Sequence, residues 1–166
     1  LGMEIWDEAS APDTVIVPIG GGGLAAGVAS ALKQRAALEG RTVRVIGVQA
    51  ANAAGFLPSL DAGEVVTAAI HPTIADGIAV ARPGDLTFSI IREHVDEIVT
   101  VTDDEIASAL VVLLERAKLV VEPAGAVGPA AVLAGKVTGT GRTAIVLSGG
   151  NIDPLLMERV ISRGLT

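Results

Sequence analysis

The chain has 166 residues, half of them hydrophobic, with a formal net charge of −7 and no cysteine. That length suits one domain with a core and is too short for two ordinary ones, while the missing cysteines exclude disulfides and thiolate metal sites. The acidic balance and an aromatic set limited to Trp6, Phe56 and Phe88 argue against a nucleic-acid partner, and no apolar run reaches the ~18 residues of a membrane span.

Residues 1–8 read as the tail of a helix. The first β-branched run, 15–19, leads straight into Gly20, Gly21, Gly22 and Gly23, and alanines at helical spacing follow over 24–37. A strand that opens through glycine into a helix presents bare backbone N–H groups and the positive end of the helix dipole, which suits an anion, above all a phosphate. Without a Cβ the ligand can come close, and positive φ is allowed. A single glycine would serve a tight turn alone; four in a row here point to a ligand. No Lys-Ser or Lys-Thr follows, so the loop is not of the P-loop type. Gly21, Gly23 and Ala26 do meet the looser G-x-G-x-x-A dinucleotide spacing. That reading wants an acid at the end of the second strand, 43–48, where this chain has Gln49.

Further along, 86–94 reads as a helix whose start Arg82 and Asp85 frame, and 97–101 as a third strand. Over 103–118, Ile106, Leu110, Leu113, Leu114 and Ala117 recur at helical spacing. Thr102 and Glu105 make a capping box, so Asp103, Asp104 and Glu105 read as a helix start and not as paired catalytic acids. Glu122 sits among apolar residues just before a helix over 124–134 that proline starts; such an acid either caps the helix or faces a pocket. The fourth strand, 143–147, stops at Ser148 before two glycines, and Asp153-Pro154 opens a last helix reading to Leu165. All four strands have few charges, as strands covered on both faces do. Strands alternating with helices predict a three-layer α/β domain, with a mostly parallel sheet and helices on both faces. In such a sheet, ligands lie beyond the carboxyl ends of the strands, where Ser148 and the glycine loop both project. His71 and His94 lack metal-ligand spacing and read as loop and helix-end residues.

Four ordered segments, "PIGGGGLAAG", "TIADGIAV", "VEPAGAVG" and "LSGGNID", together resemble the threonine/serine dehydratase family of pyridoxal-phosphate enzymes, the fold type II group. The resemblance covers nearly the whole chain. It implies that the amides of Gly20, Gly21, Gly22, Gly23 and Leu24 hold the phosphate of pyridoxal 5′-phosphate. It places the Ser148 hydroxyl against the pyridine nitrogen, Glu122 near the ring, and Gly77 on the cofactor or substrate side. A hydroxyl is a neutral partner and should leave the ring nitrogen largely unprotonated, which favours β-elimination. The implied reaction is ammonia-lyase chemistry, turning threonine or serine into a 2-oxo acid and ammonia.

The departures matter as much. These enzymes carry their cofactor on a Schiff-base lysine in a serine-x-lysine-x-arginine context, and none of Lys33, Lys118 and Lys136 stands in it; all three read as surface lysines. Residues 1–166 therefore read as the C-terminal part of a larger cofactor-binding domain, inactive alone. Some relatives hold a divalent cation with two acids, at the positions of Gln49 and Gly55 here, so that metal site is expected to be lost. The mean hydropathy of +0.58 favours a homo-oligomer or association with the missing half, and the absence of cysteine fits a reducing cytoplasm. The alternatives are an NAD-type dinucleotide-binding domain and a non-catalytic assembly module.

Overall fold

The computed structural model describes residues 1–138 and 141–163. Among the described residues, four strands, Thr14–Pro18 (β1), Arg44–Ala50 (β2), Glu97–Val101 (β3) and Thr143–Ile145 (β4), form one sheet in the order β3-β2-β1-β4, with every pairing parallel. Among the same residues, seven α-helices surround it: Gly2–Glu8 (α1), Gly23–Leu38 (α2), Phe56–Ala62 (α3), Asp85–His94 (α4), Asp103–Val112 (α5), Pro123–Leu133 (α6) and Pro154–Arg163 (α7). The expected continuation of the last helix to Leu165 lies outside the described residues.

Alternation along the central strands builds two cores. Val15, Val17 and Ile19 with Val45 face α2, Phe56 of α3, and Phe88 and Ile91 of α4; Ile16 with Ile46, Val48 and Ala50 faces Ile106, Ala109 and Leu110 of α5 and the buried run of α6. Successive residues of a strand point to opposite faces, so one sheet sorts these side chains into two layers. Each fully buried aliphatic contributes roughly 1.5–3 kcal/mol relative to exposure. The three-layer expectation holds.

Its details need three corrections. The central strands are covered on both faces, but β3 and β4 lie at the edges and are only half-buried, apart from Val101. The strand expected over 143–147 pairs only through Ile145. The helix expected over 103–118 stays α-helical only to Val112. It passes into a π-helical turn over Leu113–Ala117 and ends at Lys118, whose φ is +60°. A π turn holds more residues than an α turn, so the apolar stripe rotates off the core and Ala117 is exposed. At the other end of α5 the expected capping box is present: Thr102 Oγ1 accepts from the Glu105 N–H, and Glu105 Oε2 accepts from the Thr102 N–H at 2.7 Å.

Two of the lysines read as surface residues tie elements together instead. Lys33, inside α2, donates to Val43 O and pairs with Asp96 at 2.6 Å, ahead of β3. Lys136 donates to Thr100 O and pairs with Glu105 at 2.6 Å.

Candidate functional site

From β1 the chain leaves through α2 on one face toward β2; it returns to β4, on the other side of β1, from α5 and α6 on the opposite face. Oppositely directed crossovers leave a crevice beyond the carboxyl ends of β1 and β4, the place where open α/β sheets take ligands. The register puts the two expected motifs side by side there. Ile16 pairs with Ile145, so Ile19 and Ser148, each three residues on, reach the same level.

A cavity of about 270 Å³ occupies this crevice, lined by Gly20, Gly21, Gly22, Gly23, Leu24, Gly77, Glu122 and Ser148 together with Pro18, Ile78 and Ala124. Its volume is close to the lower bound of about 300 Å³ for pockets that take small ligands. Every residue that the sequence nominated for cofactor contact is on its wall. The loop turns at Gly22, which has φ +94°; a Cβ built there would lie 2.6 Å from Phe56 Cζ and 2.8 Å from Thr87 Oγ1. At Gly23 a Cβ would meet nothing within 4 Å, so that glycine is not demanded by the chain's own packing. Among the described residues, no group accepts a hydrogen bond from the N–H of Gly20, Gly21, Gly22, Gly23 or Leu24. The first turn of α2 carries no acidic side chain, and its N-cap makes no side-chain hydrogen bond. Five unpartnered donors at the positive end of a 16-residue helix fit an anionic group such as a phosphate.

The opposite wall is held by Glu122, the N-cap residue of α6. Its N–H donates to Gly149 O at 3.0 Å, and its Oε2 accepts from the Asn151 N–H at 3.2 Å. A Cβ at Gly149 would lie 2.5 Å from Glu122 Cδ, so the 148–151 turn lies directly on this carboxylate. Glu122 thus does both things its sequence position allowed: it stands at the helix start and it faces the cavity. The Ser148 hydroxyl is exposed and has no partner among the described residues. The third wall is the short turn Asp76–Ile78, where a Cβ on Gly77 would lie 3.1 Å from the Ala124 methyl. Among the described residues, no lysine or arginine lines the cavity.

Residues 1–149 match the family described as pyridoxal-phosphate dependent enzyme. The chain belongs to this family. Among relatives of the pyridoxal-phosphate dependent enzymes, it is 47 % identical over 165 residues to an L-threonine ammonia-lyase of Thermotoga maritima, covering 99 % of this chain and 40 % of that protein. It is 47 % identical over 156 residues to the catabolic L-threonine dehydratase of Escherichia coli, covering 92 % of this chain and 46 % of the relative. The structure of the processed form of threonine deaminase isoform 2 from Solanum lycopersicum superposes with a TM-score of 0.86 at 33 % identity, over 97 % of this chain and 47 % of the other. The chain thus spans less than half the length of each.

The remaining sequence candidates lie elsewhere. Gln49 is fully buried, donates to Ile19 O at 3.4 Å and accepts from the Phe56 N–H at 3.2 Å; it braces the loop from within the core. A Cβ at Gly55 would come within 2.4 Å of Val80 O, so no side chain fits there without a backbone shift. Arg82 and Asp85 pair at 2.9 Å at the start of α4, as expected. His71 lies in an exposed loop and His94 at the end of α4. Sequence reasoning missed the braces behind the loop. Thr87 Oγ1 donates to Gly21 O at 2.6 Å, and the Gly84 N–H points to the same carbonyl at 3.3 Å. Nothing in "PGDLTF" advertises a contact spanning 66 residues.

Proposed function

We propose that the chain forms the phosphate- and ring-binding wall of a threonine/serine ammonia-lyase, a pyridoxal-phosphate enzyme that turns a β-hydroxy amino acid into a 2-oxo acid and ammonia. The observation that carries this reading is the cavity itself: unpartnered amides of Gly20–Gly23 and Leu24 on one wall, with the free Ser148 hydroxyl and Glu122 on the other. Similarity to threonine ammonia-lyases across nearly the whole chain supports it.

When bound, pyridoxal phosphate supplies the electron withdrawal that labilises bonds at the α-carbon of an amino acid. The amides of 20–24 would hold its phosphate, and Ser148 would meet the ring nitrogen with a neutral hydroxyl. Glu122 fixes the turn that carries Ser148. Gly77 keeps the third wall low enough to admit the ring. The lysine on which such enzymes carry the cofactor would come from sequence beyond these 166 residues, which form the C-terminal part of the cofactor-binding domain in this reading. Large apolar side chains at the surface, Leu38, Leu86 and Leu155 among them, support association with a further copy or with that other part. The dinucleotide reading loses its support, because the residue at the ribose-binding position is buried and already bonded.

Pyridoxine 5′-phosphate, which lacks the aldehyde and cannot condense with surface lysines, tests the site directly. Titrated into the ¹⁵N-labelled chain, it should shift the amide resonances of 20–24 in a saturable way. Unchanged glycine-loop resonances overturn the reading. The chain alone, given pyridoxal phosphate and threonine, should release no 2-oxo acid; steady turnover would show that a lysine within it serves.

A further inference from the structure

We propose that Thr87, outside the cavity, is a positioning residue that aims the glycine loop at the anion; the proposal rests on the phosphate-binding reading above. Thr87 sits in the first turn of α4 and is not among the residues lining the cavity. Its hydroxyl has one proton and two carbonyls in reach, Gly21 O at 2.6 Å and Gly84 O at 3.0 Å. The shorter contact takes the proton. With the Gly84 N–H at 3.3 Å, the Gly21 carbonyl has two donors, both from the start of α4.

Fixing that carbonyl fixes more than one atom. The peptide linking Gly21 to Gly22 is planar and trans, so its N–H points opposite to its C=O. Drawing Gly21 O toward α4 therefore turns the Gly22 N–H away from α4, to the side on which Gly22 lines the cavity. The neighbouring residue needs this hold, because a glycine at φ +94° has many other conformations open to it. A donor group held in place before the ligand arrives loses less entropy on binding than a loose one. Thr87 thus sets the orientation of a binding amide without touching what it binds.

The test compares T87V, which keeps the shape and removes the donor, with T87S, which keeps the donor and removes a methyl. Pyridoxine 5′-phosphate is titrated into each ¹⁵N-labelled chain, and dissociation constants are read from the 20–24 amides. T87V should bind roughly five- to tenfold more weakly, the worth of one hydrogen bond, with its largest free-state shift change at the Gly22 amide. T87S should return to near wild-type affinity. A purely structural role would lower the melting temperature of T87V and leave the affinity of its folded fraction unchanged, which overturns the proposal; so does a T87S that binds as weakly as T87V. A wild-type chain that fails to bind removes the underlying function and is recognised before any variant is made. Should T87V lose its dispersed spectrum, the wild type decides: a hydroxyl donated to Gly21 exchanges slowly enough to show its own proton resonance coupled to the loop, and a freely exchanging Thr87 hydroxyl ends the idea.

Discussion

Helices α2 and α5 begin in opposite ways. At α5 the chain satisfies its own helix start: Thr102 and Glu105 close a capping box, and Asp103, Asp104 and Glu105 place three carboxylates at the positive end of the dipole. At α2 it does none of this. The N-cap is a left-handed glycine without a side-chain bond, no acid stands in the first turn, and five amides find no acceptor among the described residues. Both helices start just past a strand, so the difference is one of residue choice and not of architecture. A start that supplies its own acceptors gains stability, typically about 1 kcal/mol for the cap alone. A start left bare gives that up and keeps its donors for something else.

Variants at the two ends can break this contrast. The largest effect is expected for Gly22→Val, which forces a branched side chain into left-handed backbone and against Phe56 and Thr87. Positive φ and overpacking together should cost on the order of 3 kcal/mol in urea unfolding and abolish pyridoxine 5′-phosphate binding. Thr102→Ala should cost about 1 kcal/mol by the same measurement and leave that binding untouched; a matching loss of affinity would deny that the two helix starts are separate in role. Gly23→Ala carries the opposite sign. With open space for the methyl, the free chain should gain up to about 1 kcal/mol from the better helix former, while the methyl at the cavity wall weakens ligand binding. The smallest effect concerns pH. Burial pushes the Glu105 carboxyl up, but the hydrogen bond and charge of Lys136 and the bonds to Thr102 outweigh it and hold it below its usual 4.5. The stabilisation is therefore present above the unfolded-state value and fades as pH falls through the lower folded one. Glu105→Gln should flatten the acid limb of the stability curve over that window and leave the curve near neutrality with no added slope.

The layers, the strands and the cavity wall were legible because each has a local signature. Charge-poor β-branched runs gave the four strands, and the glycine run, Ser148 and Glu122 each stood at the end of an element whose direction was readable. What escaped was either a local backbone detail that the pattern does not show or a contact with a partner far away in sequence. Helix α3, Phe56–Ala62, contains Pro58, which reads as a breaker; it lies in the first turn, where the missing N–H costs no intrahelical bond. The π turn after Val112 broke a periodicity that the apolar residues themselves continue. Gln49 read as a missing acid and is a buried brace between Ile19 and Phe56. Lys33 and Lys136 read as solvated and are cross-links, because their acceptors, Asp96 and Glu105, come from other elements.

The sheet keeps its two apolar cores apart, and the crevice has one wall rooted in each. The glycine loop is rooted in one through Ile19, Ala25 and Ala26; the Glu122 side is rooted in the other through Val121, Ala124 and Ile78. A molecule gripping both walls would act as a rivet through the layers, coupling their local opening reactions. Amide exchange should then slow in α2 and α6 together on ligation, though those helices lie on opposite sides of the sheet.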